Sequence, residues 1–387
     1  MTVIHAIPLG WRQLRHKPMR LLVAVTGIGF AVTLILMQLG FRSALFESAV
    51  RYHERLNYDI ALFSRDSTFI VRPESFSIRR LYQALAVQGV VDVSPIYIYP
   101  ATWKNPWNHE RRTAFLMGFD PDDEVLHTPG IADQRHLLRR QDVVLFDTRS
   151  RPEHGPVGDY FGSHGSFVTE VNERAIQVVG VFEMGTSFGL DASILTSETN
   201  FLRIFPNRPR GNVDLGLVRV ADGVPPEAVR DELRRLLPED VLVLTKPEFV
   251  ARETAYWNSA TPIGYVFTFG AIMGLVVGAI IVYQILFADV SDHLDEYATL
   301  RALGYSNAFV STVVVQQAVV LALMGFVPGM LVSVWLYDQA GAATRLPLTL
   351  TQDRVMTVLL MTVAMCAISG VFALRKVRRL DPAEVFR

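Results

Sequence analysis

Hydrophobic positions in this chain follow two different patterns. Long apolar stretches occupy residues 21–41, 263–287, 309–335 and 355–374, and none of the four contains an Asp, Glu, Lys or Arg. A spanning helix needs about 20 mostly apolar residues, so each stretch predicts one membrane crossing. The first holds twelve Leu, Ile, Val and Phe residues and is interrupted by Gln38. Its insertion is worth about 4–7 kcal/mol as an upper bound. It exceeds the roughly 7–15 apolar residues of a signal peptide, and no A-x-A site follows. The expectation is an uncleaved anchor.

Between the first and second stretches the apolar residues instead come in short runs. Residues 142–146, 176–182, 213–220 and 241–245 are β-branched and aromatic-rich, which predicts strands. Residues 225–237 open on two prolines and carry Val229, Leu233, Leu236 and Leu237 at helical spacing, which predicts a helix. The run Ile96-Tyr-Ile-Tyr-Pro-Ala-Thr-Trp-Lys-Asn-Pro-Trp107 reads as a strand with two usable faces. Its aromatic residues either complete the domain's own core or anchor a partner protein or lipid chain. Segments 43–56 and 248–259 lack Pro and Gly and could continue the neighbouring spans as helical stalks.

The predicted fold class is therefore membrane α-helical, with four transmembrane helices and a large α+β extracytoplasmic domain inserted between helices 1 and 2. The expected layout is an N-terminal amphipathic segment (1–20), helix 1 (21–42), the inserted domain with its stalks (43–260) and helix 2 (262–288). A polar loop with a helical segment (289–308), helix 3 (309–337), a short loop (338–354), helix 4 (355–374) and a tail (375–387) follow.

Charge sets the orientation. Arg12, Arg15, Lys17 and Arg20 precede the first span, and Arg375, Lys376, Arg378 and Arg379 follow the last. The positive-inside rule places both termini in the cytoplasm, which agrees with an even number of spans. The loop 289–308 then lies inside as well, although its acidic residues outnumber Arg301; acidic residues contribute little to orientation.

Composition removes several classes of function. The chain has 387 residues, 50% of them hydrophobic, and a formal net charge of -1, which gives no basis for nucleic-acid binding. Its mean hydropathy is +0.26. Cys366 is the single cysteine, so neither an internal disulfide nor a CxxC metal site can form. No Gly is followed by Lys, so the phosphate-binding pattern G-x-x-x-x-G-K-[ST] is absent and the chain is not expected to be an enzyme that hydrolyses ATP. His53-Glu54 and His109-Glu110 lack the second histidine of H-E-x-x-H, and Ser163-His164 lies in a Gly-rich loop where such neighbours arise by chance. No catalytic, cofactor-binding or metal site is expected. The absence of an Asp, Glu, Lys or Arg deep in a span argues against a proton- or ion-coupled pump.

Two features remain. Gly270, Gly274 and Gly278 line one face of the second span with small residues. This permits close approach by another helix, either from the same chain or from a second copy. The loop segment Asp292 to Gly304 is a charged helix candidate held between two spans. Its acidic residues Asp292, Asp295 and Glu296 offer charge-assisted pairs to a partner, and Leu294, Ala298 and Leu303 offer apolar contact. A solvated linker is the alternative. Arg301 is read as tying this helix to a span, and Gly304 as a left-handed C-terminal cap.

Four segments together resemble the MacB/FtsX-type ABC transporter permease superfamily. They are Ala6-Ile-Pro-Leu-Gly-Trp-Arg-Gln-Leu-Arg-His-Lys-Pro-Met-Arg20, Ser193-Ile-Leu-Thr-Ser-Glu-Thr-Asn-Phe-Leu-Arg203, Leu300-Arg-Ala-Leu-Gly-Tyr-Ser306 and Val377-Arg-Arg-Leu-Asp-Pro-Ala-Glu-Val-Phe386. The wording of residues 295–306 and 375–386 is similar to the DevC branch of cyanobacterial exporters. The resemblance implies a homodimeric permease in the inner membrane, with a separate ABC ATPase that binds the ATP. Asp292, Leu294, Asp295, Glu296, Ala298, Arg301, Leu303 and Gly304 would form the ATPase-coupling segment. It also implies a periplasmic adaptor (a membrane fusion protein), a TolC-like outer-membrane channel and a hydrophobic, lipid-like cargo moved by a mechanical relay. The alternatives are an FtsX-like regulator of a cell-wall hydrolase and a membrane-bound sensor that has no ATPase.

Overall fold

The computed structural model describes residues 18–187, 189–259, 262–294, 296, 299, 303 and 306–378. The chain divides into two units, one of residues 1–44, 263–343 and 348–387 and the other of residues 45–262 and 344–347. Among the described residues four helices are long and apolar enough to cross a membrane, and the inserted α+β domain lies between the first and second of them, as the hydrophobic pattern predicts.

Helix α1 runs without interruption from Pro18 to Arg55, 38 residues. Strands β1 (Ile60–Ser64) and β2 (Phe76–Ser77), helix α2 (Arg79–Ala84) and strands β3 (Val90–Lys104), β4 (Arg111–Phe119) and β5 (Val143–Asp147) follow. Helix α3 (Val157–His164), strands β6 (Phe167–Val171), β7 (Arg174–Phe182) and β8 (Ser193–Ser197), and helix α4 (Glu198–Ile204) come next. Strands β9 (Asn212–Val213) and β10 (Leu215–Val220), helix α5 (Pro226–Leu236), strand β11 (Val241–Thr245) and helix α6 (Lys246–Ser259) complete the domain. The remaining membrane helices are α7 (Pro262–Asp292), α8 (Asn307–Thr344) and α9 (Gln352–Arg378).

All four helices outrun the apolar stretches, so several expected boundaries move. Helix α7 ends at Asp292 rather than 288, α8 continues to Thr344 rather than 337, and the loop expected over 338–354 shrinks accordingly. Hydropathy marks where lipid begins, whereas backbone hydrogen bonding carries a helix on into water.

The domain is built on a nine-stranded mixed sheet in the order β11-β1-β10-β3-β4-β8-β5-β7-β6, with β3 also pairing β6. Its first strand finds both neighbours late in the chain: Ile60 lies opposite Val218 of β10 and opposite Thr245 of β11. Both faces of the sheet are covered, so β1, β5 and β8 are buried at every position. That explains why β1 and β5 read as near-continuous apolar runs rather than alternating ones. On one face Leu62, Trp103 and Phe146 pack with Leu81 of α2, Phe201 of α4 and Leu233 of α5. On the other, Phe63, Ile98 and Phe115 pack with Tyr52 of α1 and Phe249 of α6. The strand containing Tyr97 and Trp103 thus mainly completes the core, although Tyr99 is 42% exposed. Strand β8 runs directly into α4, whose first turn is capped by Ser197 Oγ accepting from Asn200 N. Helix α5 buries Val229 and Leu233 as its spacing predicts, but Leu236 remains exposed.

Candidate coupling site at the end of the second membrane helix

Because α7 continues to Asp292, Asp289 occupies its last turn instead of opening a loop. Its carboxylate is buried, and Gln317 of α8 donates to it from Nε2 at 3.2 Å. The His293 ring Nδ1 lies 2.9 Å from the Asp289 carbonyl oxygen and 3.6 Å from its carboxylate. A carboxylate buried at a helix end needs such partners. Asp292 accepts from the guanidinium of Arg20 at the start of α1. The acidic groups that the sequence assigns to a partner are therefore partly engaged within the chain, tying the end of α7 to α8 and α1.

The rest of the coupling segment divides by exposure. Leu294 is half-buried against Val290, Val314 and Leu374, and so contributes to packing among α7, α8 and α9. Glu296 is exposed in a helical conformation. Leu303 is 72% exposed, and its N–H donates to the Thr299 carbonyl at 3.0 Å. Glu296 and Leu303 thus present a charge and an apolar side chain outward. Asp295, Ala298, Arg301 and Gly304 lie outside the described residues, as do residues 1–17 and 379–387.

Beneath this segment the glycine stripe of α7 faces α1. A Cβ built at Gly274 would lie 2.8 Å from Leu34 Cδ2, and one at Gly278 would lie 2.8 Å from Ala31 Cβ and 2.7 Å from Met365 Sδ. At Gly270 it would meet Gln38 Cδ at 2.5 Å. The contact made by this face is with another helix of the same chain. A second small-residue contact was hidden in α8, where Gly325 and Gly329 repeat the same spacing around Pro328. A Cβ at Gly325 would lie 2.5 Å from Ile28 Cβ, and one at Gly329 would lie 2.6 Å from the Gly29 carbonyl oxygen. Thr33 Oγ1 lies 2.9 Å from the Gly29 carbonyl and 3.0 Å from that of Gly329, and it can donate to either. Tyr337 donates its hydroxyl to the Leu36 carbonyl at 2.5 Å. Helix α1 is thereby gripped by both α7 and α8 over several turns.

A family model described as the MacB-like periplasmic core domain matches residues 21–236, and one described as the FtsX-like permease C-terminal region matches residues 268–382. The chain belongs to the MacB/FtsX-type ABC transporter permease superfamily. An uncharacterized ABC transporter permease of Mycobacterium tuberculosis is 23% identical over 385 residues, covering 97% of each chain. Another from Methanocaldococcus jannaschii is 22% identical over 232 residues, 57% of each chain. Among solved structures, the periplasmic region of MacB from Actinobacillus actinomycetemcomitans aligns with TM-score 0.34 at 14% identity, over 51% of this chain and 92% of that one. The extracellular domain of YknZ, a noncanonic ABC-type transporter from Gram-positive bacteria, aligns with TM-score 0.33 at 17% identity, over 48% and 98%.

In the inserted domain of this permease, the neighbours Ser163 and His164 have structural partners. Ser163 Oγ donates to the Asp159 carbonyl, and His164 stacks on Tyr160 with ring centroids 4.4 Å apart. Glu110 pairs with Arg112 on the surface. Among the described residues no group of three or more His, Cys, Asp or Glu is placed to hold a metal ion. A groove of about 410 Å³ is lined by Tyr99, Phe205, Arg208, Glu74 and Asp214. Asp214 accepts from Ile98 N at 2.7 Å and pairs with Arg208. Burial nevertheless outweighs Arg208 and the backbone donor, and pushes the Asp214 carboxyl up to about 6. Sequence reasoning missed this pair: Arg208 sits in a Pro- and Gly-containing loop, and Asp214, inside the predicted strand 213–220, lies at the bend between β9 and β10, where nothing in the pattern marks it as buried.

Proposed function

We propose that this permease is the membrane subunit of an exporter that relays the motion of a separate ABC ATPase to its inserted domain instead of opening a path through the bilayer. In this reading both termini are cytoplasmic in the inner membrane and the domain lies outside. The chain works as a homodimer with a periplasmic adaptor and a TolC-like outer-membrane channel, as in the DevC branch. The cargo is a lipid, glycolipid or other hydrophobic compound.

The observation that carries this reading is the continuity of α1. Its 38 residues correspond to about 57 Å at 1.5 Å per residue, well beyond the roughly 30 Å of a hydrocarbon core. The excess ends inside the domain core at Tyr52. In the proposed relay, this one helix carries the displacement from the span toward the domain. The four apolar stretches contain no Asp, Glu, Lys or Arg, which suits a relay better than a polar conduit.

Glu296 and Leu303 are the outward contacts for the ATPase. Purified alone, the permease should hydrolyse no ATP above background, and co-expression with its cognate ATPase should yield a stable, active complex. The substitution Glu296→Arg should weaken co-purification about tenfold, a change of roughly 1.4 kcal/mol, through lost pairing and like-charge repulsion, while membrane insertion is preserved. Unchanged co-purification would reduce the segment to a solvated linker. A complex that turns over ATP but whose loss alters cell-wall hydrolase activity, with exported lipids unchanged, would favour the FtsX-like regulator.

A further inference from the structure

The two helices that connect the inserted domain to the first and second spans meet at a buried polar knot. His53, in the last turns of α1, is 0% exposed, and Glu253 of α6 is 1% exposed. The carboxylate is held on two sides: Oε2 accepts from Ile70 N at 3.1 Å, and Oε1 accepts from the Trp257 indole at 3.0 Å. The imidazole lies edge-on to Phe249 of α6, with ring centroids 4.4 Å apart. Lys246, at the start of α6, donates to the Leu56 carbonyl at 2.8 Å, just beyond the C-terminal end of α1. The two helices are thus fastened at one end by Lys246 and further along by His53.

The His53 contact is incomplete in an informative way. Its Nδ1 lies 3.2 Å from the Tyr58 hydroxyl. Burial pushes the Tyr58 hydroxyl far above its ordinary range, so it keeps its proton, and the latch described below takes it as the donor to Nδ1. The neutral imidazole then carries its own hydrogen on Nε2. That Nε2 is buried without a hydrogen-bond partner and faces Glu253 Oε2 across 3.9 Å. A hydrogen bond between these atoms requires about 2.8–3.0 Å. A ring nitrogen and a carboxylate oxygen, both desolvated, stand about 1 Å too far apart.

We propose that His53 and Glu253 form a latch between the two connecting helices, open in this structure and closed when α1 advances toward α6. Close-packed interfaces favour discrete arrangements over gradual deformation, and a buried unmet donor gives the second arrangement a specific reward. Tyr58 acts as the positioning residue, because its hydroxyl selects the tautomer that can close the latch. This inference rests on the proposed relay, in which nucleotide binding by the ATPase displaces α1.

The test uses the full permease with its cognate ATPase in nanodiscs, in a Cys366→Ala background. Spin labels on Glu54→Cys and Ala255→Cys report the separation of α1 and α6 by electron paramagnetic resonance. Trapping the ATPase with ATP and vanadate should populate a shorter separation. His53→Phe, which keeps a ring but removes the donor, should reduce that population at least about fivefold, the lower end of typical coupling strengths. His53→Gln, which restores a donor, should recover it. If His53→Phe does not accumulate, Tyr58→Phe provides the same reading with the packing preserved. A nucleotide-dependent shift that is unchanged in His53→Phe or Tyr58→Phe overturns the latch and leaves the relay standing. No shift in the unsubstituted complex while ATP is being hydrolysed overturns the relay and the latch together.

Discussion

A single buried carboxylate shows how position governs chemistry here. Asp214 has a guanidinium beside it and a backbone N–H on it, yet burial raises its affinity for a proton to a value of about 6 from the ordinary 3.8. The folded state therefore binds this proton more tightly than the unfolded chain. The resulting stabilisation is complete below about pH 4 and is lost as the pH rises through about 6. Thermal melts of the detergent-solubilised chain, followed by tryptophan fluorescence, should rise as the pH falls from 7 to 5, and Asp214→Asn should flatten that slope. An identical slope in the variant would assign the effect elsewhere, with Asp147 the first alternative because burial pushes its carboxyl up too.

At the scale of elements, the membrane unit depends on glycine. At Gly274 the side chains of Leu34 and Ile35 fill the space a Cβ would take, so a larger residue must push α1 and α7 apart. Gly274→Leu should lower stability by about 1–3 kcal/mol, the usual penalty for overpacking. Chemical cross-linking should find the oligomeric state of the surviving protein unchanged. Selective loss of the dimer would instead mark this face as a seam between copies. The stripe itself was legible because three glycines at four-residue spacing stand out in an apolar run. Its partner was not, since Leu34 lies some 240 residues earlier and carries no distinguishing signal. The same limit concealed the contact of Gly29 with Gly329 and that of Asp289 with Gln317. Amphipathic elements were readable: β11 occupies 241–245, where its composition predicts it, and α5 follows its stripe. Strands β1 and β8 were not, because a strand buried on both faces loses the two-residue period that would announce it.

At the scale of the whole molecule, topology is the expectation on which the relay depends. Gly211 meets nothing within 4 Å of an added Cβ, and Leu303 is exposed, so both positions accept a cysteine probe in a Cys366-free background. A membrane-impermeant maleimide applied to spheroplasts should modify Gly211→Cys and spare Leu303→Cys until the membrane is opened. The reverse pattern would invert the assignment and remove the ATPase from the side where Glu296 could meet it.

The pairing of β1 with β10 and β11 also bears on how the protein is made. Residues 60–64 leave the ribosome long before either neighbouring strand exists, at 215–220 and 241–245. At 5–20 residues per second, an apolar Ile-Ala-Leu-Phe segment waits about 8–30 seconds with both edges bare. Such an edge is a template for aggregation, and closing the sheet requires contacts of high sequence separation, which form slowly. A holding chaperone is therefore expected to cover the nascent domain over most of its synthesis. Pulse-chase proteolysis of the growing chain should find the region after Arg55 cleavable until translation has passed Thr245.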